Sequence, residues 1–119
     1  MRLAPLLTAI AFIATPALAQ QASHQGMNHS MMPTAANPYG PAEMKMHQKM
    51  MGAIGTDASE TWVRKMIEHH RGAIETSQIA VAKAGDPMVK QMAQKTAAML
   101  EKEIAELQGW LRRNGKSAQ

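Results

Sequence analysis

Cysteine is absent from all 119 residues. The chain can therefore form no disulfide in an oxidising compartment, offers no thiolate nucleophile, and cannot build a blue-copper or cysteine-type zinc centre. The single phenylalanine is Phe12, and beyond residue 19 only Leu100, Leu107 and Leu111 supply leucine. A domain so short of large rigid apolar groups is marginal alone, which makes a second copy, as a homodimer, an expected partner. The longest apolar run, residues 3–14, falls short of the ~20 residues that span a bilayer. Strand-like alternation and solenoid repeats are both missing, so the expected fold class is all-α. Thirteen Lys and Arg against nine Asp and Glu leave a charge of +4, but the two signs are interleaved. That is a solvated surface rather than a nucleic-acid footprint. The Glu-x-x-His spacing of di-iron bundles, the zincin pattern His-Glu-x-x-His and a phosphate-binding glycine loop do not occur, so no enzyme is expected.

Methionine, by contrast, is plentiful. Of twelve methionines, eleven lie beyond residue 19, where leucine has only its three positions. Leucine is ordinarily among the commonest residues. Methionine fills cores adaptably but specifies packing poorly, so a replacement on this scale suggests a use for sulfur itself.

The chain starts as a secretory signal does, with Arg2, the apolar run, and Ala17-Leu18-Ala19 before Gln20 as a small-residue cleavage site. Residues 1–19 are expected to be removed, leaving a periplasmic or secreted protein of charge +3 with no membrane anchor. Residues 20–40 are rich in Ser, Gln, Asn, Pro, Ala and Gly without apolar period, which describes a flexible tail. Within it His24, Met27, His29, Met31 and Met32 gather imidazoles and thioethers, and are expected to capture or relay soft metal ions.

Pro41 at a first helical position and Glu43 in the first turn open a helix expected to end near Ile54, with Gly55 as its stop. Spaced at about 100° per residue, Met44, Met46, His47, Met50, Met51 and Ile54 share one half of its surface, opposite Lys45, Gln48 and Lys49. Asp57 and Glu60 form a capping-box-like start to a second helix, expected to reach Ala84 with Gly85 as its stop. Its apolar stripe is Trp62, Val63, Met66, Ile67, Ala73, Ile74, Ala80, Val81 and Ala84. His70 falls within that stripe and His69 on its edge, with Arg64, Lys65, Glu68, Arg71 and Glu75 facing solvent. Asp86-Pro87 starts a third helix running to about Arg113, with Leu100, Ile104, Leu107 and Leu111 on its apolar stripe and Met88, Met92 and Met99 along the border. Residues 41–113 thus make one helical domain, a short helix packed on a long antiparallel hairpin, and residues 114–119 a C-terminal tail.

Reflection about Gly55-Thr56 sets Met66 level with Met46 and the histidine pair level with residues 42–44, so the methionine face of the first helix is expected to cover the double-histidine face of the second. A single histidine on an apolar face is more often a hydrogen-bonded core residue than a ligand. Here Met66 lies three and four residues before His69 and His70 and shares their surface patch. Thioether with imidazole suits soft Cu(I) best, with Ag(I) and, at the histidines, Cu(II) as further candidates; hard cations and zinc would not explain the methionines. The candidate ligands are therefore Met66, His69, His70, Met44, Met46, His47, Met50 and Met51, with His70 inward and His69 at the rim. The alternative is a non-metal helical interaction module whose methionines form a plastic partner-binding surface.

Met44-Lys45-Met46-His47, Met50-Met51, Asp57, Trp62, Met66-Ile67-Glu68-His69-His70-Arg71-Gly72-Ala73-Ile74, Asp86-Pro87, Glu103-Ile104 and Trp110-Leu111 together resemble the family catalogued as domain of unknown function 305. Its best-described members are CopM-like exported copper-binding proteins. The resemblance covers about residues 41–113 and implies a ferritin-like bundle that sequesters or delivers copper in the periplasm for homeostasis or resistance. A periplasmic copper exporter or chaperone is the delivery partner to expect. Two positions depart from the family's usual pattern: Thr76 stands where a further methionine is common, and Glu68 where proline commonly precedes the histidine pair.

Overall fold

The computed structural model describes residues 32–119. Residues 1–19, expected to be a signal segment, and His24, Met27, His29 and Met31, expected to be tail ligands, lie outside the described residues. The fold is all-helical: α1 (Gly40–Gly52), α2 (Ala58–Lys83) and α3 (Pro87–Arg113), with no strand among the described residues. None of these helices is long and apolar enough to cross a membrane. In packing, α1 lies on α2 and α2 on α3.

The helix starts follow the local chemistry of the chain. Asp57, in extended conformation, accepts a hydrogen bond from the Glu60 amide at 2.9 Å, and Asp86 accepts one from the Met88 amide at 2.7 Å. The helix stops differ from expectation, since neither Gly55 nor Gly85 adopts the left-handed conformation; among the described glycines only Gly115 does, at φ 66°. α2 is released at Ala84 in extended conformation (φ −64°, ψ 138°), and Asp86, restricted by the following Pro87, is extended as well (φ −87°, ψ 121°). α1 already ends at Gly52, with Ala53 as its cap. Gly55 instead serves a close approach, since a Cβ there would lie 2.4 Å from Glu60 Cγ.

The core sits where early α2 meets late α3: Val63, Ile67 and Leu111 are buried together, with Ile104, Leu107 and Trp110 packed against them. Further along the pair the facing residues are small, with Ala80, Ala84, Ala93 and Ala97 only half-buried. No methionine is among the buried apolar residues, Ala42, Ala53, Val63, Ile67, Leu100 and Leu111. Conversely, among the described residues five of the seven large apolar side chains left exposed are methionines: Met32, Met51, Met88, Met92 and Met99. Among the described residues, then, methionine stays out of the fully buried core.

Glu60 ties these pieces together. Its carboxylate is 3% exposed and accepts from the Thr56 hydroxyl (2.6 Å), the Thr56 amide (3.0 Å) and Arg64 Nε (2.8 Å), with Lys116 Nζ at 3.1 Å. The reciprocal capping-box bond to Asp57 is thus replaced by bonds one residue earlier in the loop. Lys116 also donates to the Thr56 hydroxyl at 2.9 Å, so the C-terminal residues fold back onto α2. Gln119 Nε2 donates to Arg64 O (2.8 Å) and Glu68 Oε1 (2.9 Å), and Arg71 Nη2 donates to Gln119 O (2.7 Å). Arg64 and Glu68, expected to face solvent, are consequently each only 13% exposed. The helical period alone assigned them to water, because it carries no record of a strap returning from residues 114–119.

The donors from Thr56 first, then Arg64 and Lys116, hold the Glu60 carboxyl far below its usual value of 4.5, outweighing the opposing effect of burial. With the folded value depressed, ionised Glu60 stabilises the fold at every pH above its unfolded value and loses that contribution as pH falls below it. Glu60→Gln is accordingly expected to be less stable at neutral pH and to show a flatter loss of stability between about pH 5 and pH 2 than the parent chain. Urea denaturation across that range checks this; parallel pH profiles would contradict the assignment.

A candidate soft-metal site

Successive side chains on a helix diverge by about 100°, so two adjacent histidines address different neighbours. His70 turns toward α3. Its side chain is 13% exposed, and its Nε2 lies 2.6 Å from Glu103 Oε2. His69 is exposed, with its ring edge-on to that of His70 and the centroids 5.8 Å apart.

An ionised carboxylate only accepts hydrogen bonds, so Glu103 places the proton of the neutral His70 ring on Nε2 and leaves Nδ1 as a bare lone pair. That Nδ1 is buried and has no hydrogen-bond partner. An unsatisfied buried acceptor is unfavourable by roughly 1–3 kcal/mol and calls for an explanation. A carboxylate on one ring nitrogen and a free lone pair on the other is also the arrangement in which histidine ligates a metal, the carboxylate orienting the ring and raising its basicity.

His70 opens onto a groove of about 970 Å³ between α2 and α3, lined also by Trp62, Met66, Glu103, Glu106 and Trp110. Thioether, imidazole and two indoles thus line one concavity. Among the described residues no three His, Asp or Glu side chains converge on a point.

α1 packs in a different register from the one expected. Met46 lies against Gly72, where a Cβ would come within 2.4 Å of Met46 Cγ. Lys45 Nζ meets Glu75 Oε2 at 2.9 Å, and Lys65 Nζ donates to Met50 O at 2.6 Å. Met46 is thus opposite Gly72 rather than level with Met66. Reflection about a tight turn misplaced it because α1 stops at Gly52 and residues 53–57 form an open loop. Two sets of groups replace the single expected cluster. Met66 and His70 share the α3-side groove, whereas Met46 and His69 line a shallow depression with Tyr39, Glu43 and Thr76. Met44 and Met50 are half-buried, His47 is exposed, and Met51 and Met32 are 64% and 66% exposed.

Glu103 was not among the candidate residues. Reflection about Gly85-Asp86 does bring His70 level with its turn of α3, but Glu103 stands in a charged run with Glu101, Lys102 and Glu106 that reads as a solvated face.

Residues 11–111 match the family described as Domain of unknown function (DUF305), and the chain belongs to that family. The match takes in Met66, both histidines, Gly72 and Glu103. No curated protein and no solved structure matches the chain.

Two outcomes follow from this geometry. In long-range ¹⁵N–¹H NMR spectra near pH 8, His70 is expected as the Nε2–H tautomer, and Glu103→Ala is expected to mix the two tautomers; a proton on Nδ1 in the parent chain would contradict the pairing. Gly72→Ala is expected to destabilise the fold by about 1–3 kcal/mol, because the added methyl meets the base of the Met46 side chain. Thermal unfolding measures this, and trimming the obstacle with Met46→Ala should recover part of the loss.

Proposed function

We propose that the protein is a non-catalytic, exported copper-binding member of its family, CopM-like in role, that sequesters or delivers Cu(I) in copper homeostasis or resistance. The observation that carries this is His70, whose Nδ1 is buried and unpartnered, whose Nε2 meets Glu103, and which lines a groove together with Met66. Imidazole and thioether together favour Cu(I) and its analogue Ag(I) over hard cations. The flanking indoles of Trp62 and Trp110 add faces that attract a cation. Further support comes from the position of the methionines, exposed or half-buried where a solute can reach their sulfur rather than packed in the core.

In this proposal Met66 and His70 are the principal ligands and Glu103 orients the ring. His69 and Met46 offer a second pair on the α1 side, and His47, Met44, Met50, Met51 and the tail residues His24, Met27, His29, Met31 and Met32 serve capture or relay. We further propose that the three helices form a short helix on an antiparallel hairpin of ferritin-like type, and that residues 1–19 direct export to the periplasm. A copper exporter or chaperone would receive the ion there. The exposed methionines also favour a second reading, a plastic surface for a protein partner without metal.

Anaerobic titration with Cu(I) against a competing chelator separates the two. His70→Ala is expected to weaken binding by more than His69→Ala, and Glu103→Ala by about 10–100-fold, the usual effect of losing a carboxylate behind a metal-bound histidine. Micromolar or weaker binding that His70→Ala leaves unchanged would sink the copper proposal, and equal losses from the two histidines would remove the asymmetry between them.

A further inference from the structure

The three methionines of α3 that belong to neither the groove nor the core stand on one narrow stripe. Met88, Met92 and Met99 are 68%, 54% and 53% exposed. At about 100° per residue they fall within some 40° of one another. Met88 and Met92 are four residues apart and hence neighbours on the helix surface, with Cβ atoms about 5–6 Å apart. Each thioether hangs on three rotatable bonds, so two sulfurs at this spacing can converge on one ion without backbone movement. Lys95 follows on the same side of the helix and sets a positive charge between this pair and Met99. The positive end of the helix, which would otherwise repel a cation, is offset by the Asp86 carboxylate capping the Met88 amide at 2.7 Å.

We propose that Met88 and Met92 form a second, solvent-facing site for a soft monovalent cation, Cu(I) or Ag(I), held by two neutral thioethers. It rests on the copper reading of the protein but not on the His70 groove. Two uncharged sulfurs in water hold an ion loosely and release it readily. The site is therefore suited to picking up or handing over an ion, whereas the groove, with its imidazole and partial burial, is suited to retaining one. Charged side chains would keep this surface soluble equally well, and leucine would serve a purely apolar contact. What methionine adds to both is a soft donor.

The test uses the protein labelled with [methyl-¹³C]methionine and titrated with silver nitrate in chloride-free buffer, silver standing in for Cu(I) without redox chemistry. The Met88 and Met92 methyl resonances are expected to shift together, both in the parent chain and in His70→Ala. The double variant Met88→Leu/Met92→Leu keeps an apolar surface of similar shape but removes both sulfurs. It is expected to bind one silver ion fewer by calorimetry at an unchanged melting temperature. Unmoved Met88 and Met92 methyls, or a leucine variant that binds as much silver as the parent, would overturn the proposal, the latter pointing to a surface that needs only apolar contact. Loss of the Met66 methyl shift in His70→Ala reports on the groove separately, so either site can fail without the other.

Discussion

The carboxylate of Glu60 is the point through which the rest of the architecture is joined. It is nearly inaccessible, yet it gathers Thr56 from the loop, Arg64 from its own helix and Lys116 from the C-terminal residues. Each contact decides something at a distance. The bond to Thr56, together with the hydrogen-only flank that Gly55 presents, shapes the loop of residues 53–57 and so sets where α1 lies along α2. The bond to Lys116 brings the C-terminal residues across Arg64 and Glu68. One side of α2 is thereby covered with polar contacts, and the side bearing Trp62, Met66 and His70 is left to face α3 as an open groove.

That division gives the two histidines unequal chemistry. His70 has an acid on one nitrogen and nothing on the other, inside a concavity with a thioether and two indoles. His69 has solvent. A small domain can hold a buried, unsatisfied nitrogen only if other contacts outweigh it, and here the hydrogen bond to Glu103 and the core cluster of Val63, Ile67 and Leu111 supply them. The proposed use of sulfur rests also on the distribution of methionine. Valine, isoleucine and leucine fill the interior, while the thioethers are kept at half-buried and exposed positions, where an ion or a partner can reach them.

Membership of the DUF305 family, an all-helical fold, helix limits to within a residue or two, and the caps at Asp57 and Asp86 were all legible in the sequence. They are local properties: a capping side chain, a proline at a helix start and a period of 3.6 residues act within a few positions of themselves. The unequal burial of His69 and His70 was legible for the same reason, since the wheel of a single helix already separates them.

Only the tertiary structure decided what these local features meet. The loop of residues 53–57 sets the sliding position of α1, so Met46 faces Gly72 and not Met66. A return of the chain over some 50 residues brings Gln119 onto Arg64 and Glu68, which no helical period could anticipate. Glu103 becomes the partner of His70 through the pairing of two helices, although in sequence it is one more acid in a charged run. The sequence by itself determined which residue types were available and on which side of each helix they stand. The fold determined which of them meet, because register between helices depends on loop shape and packing that no single helix encodes.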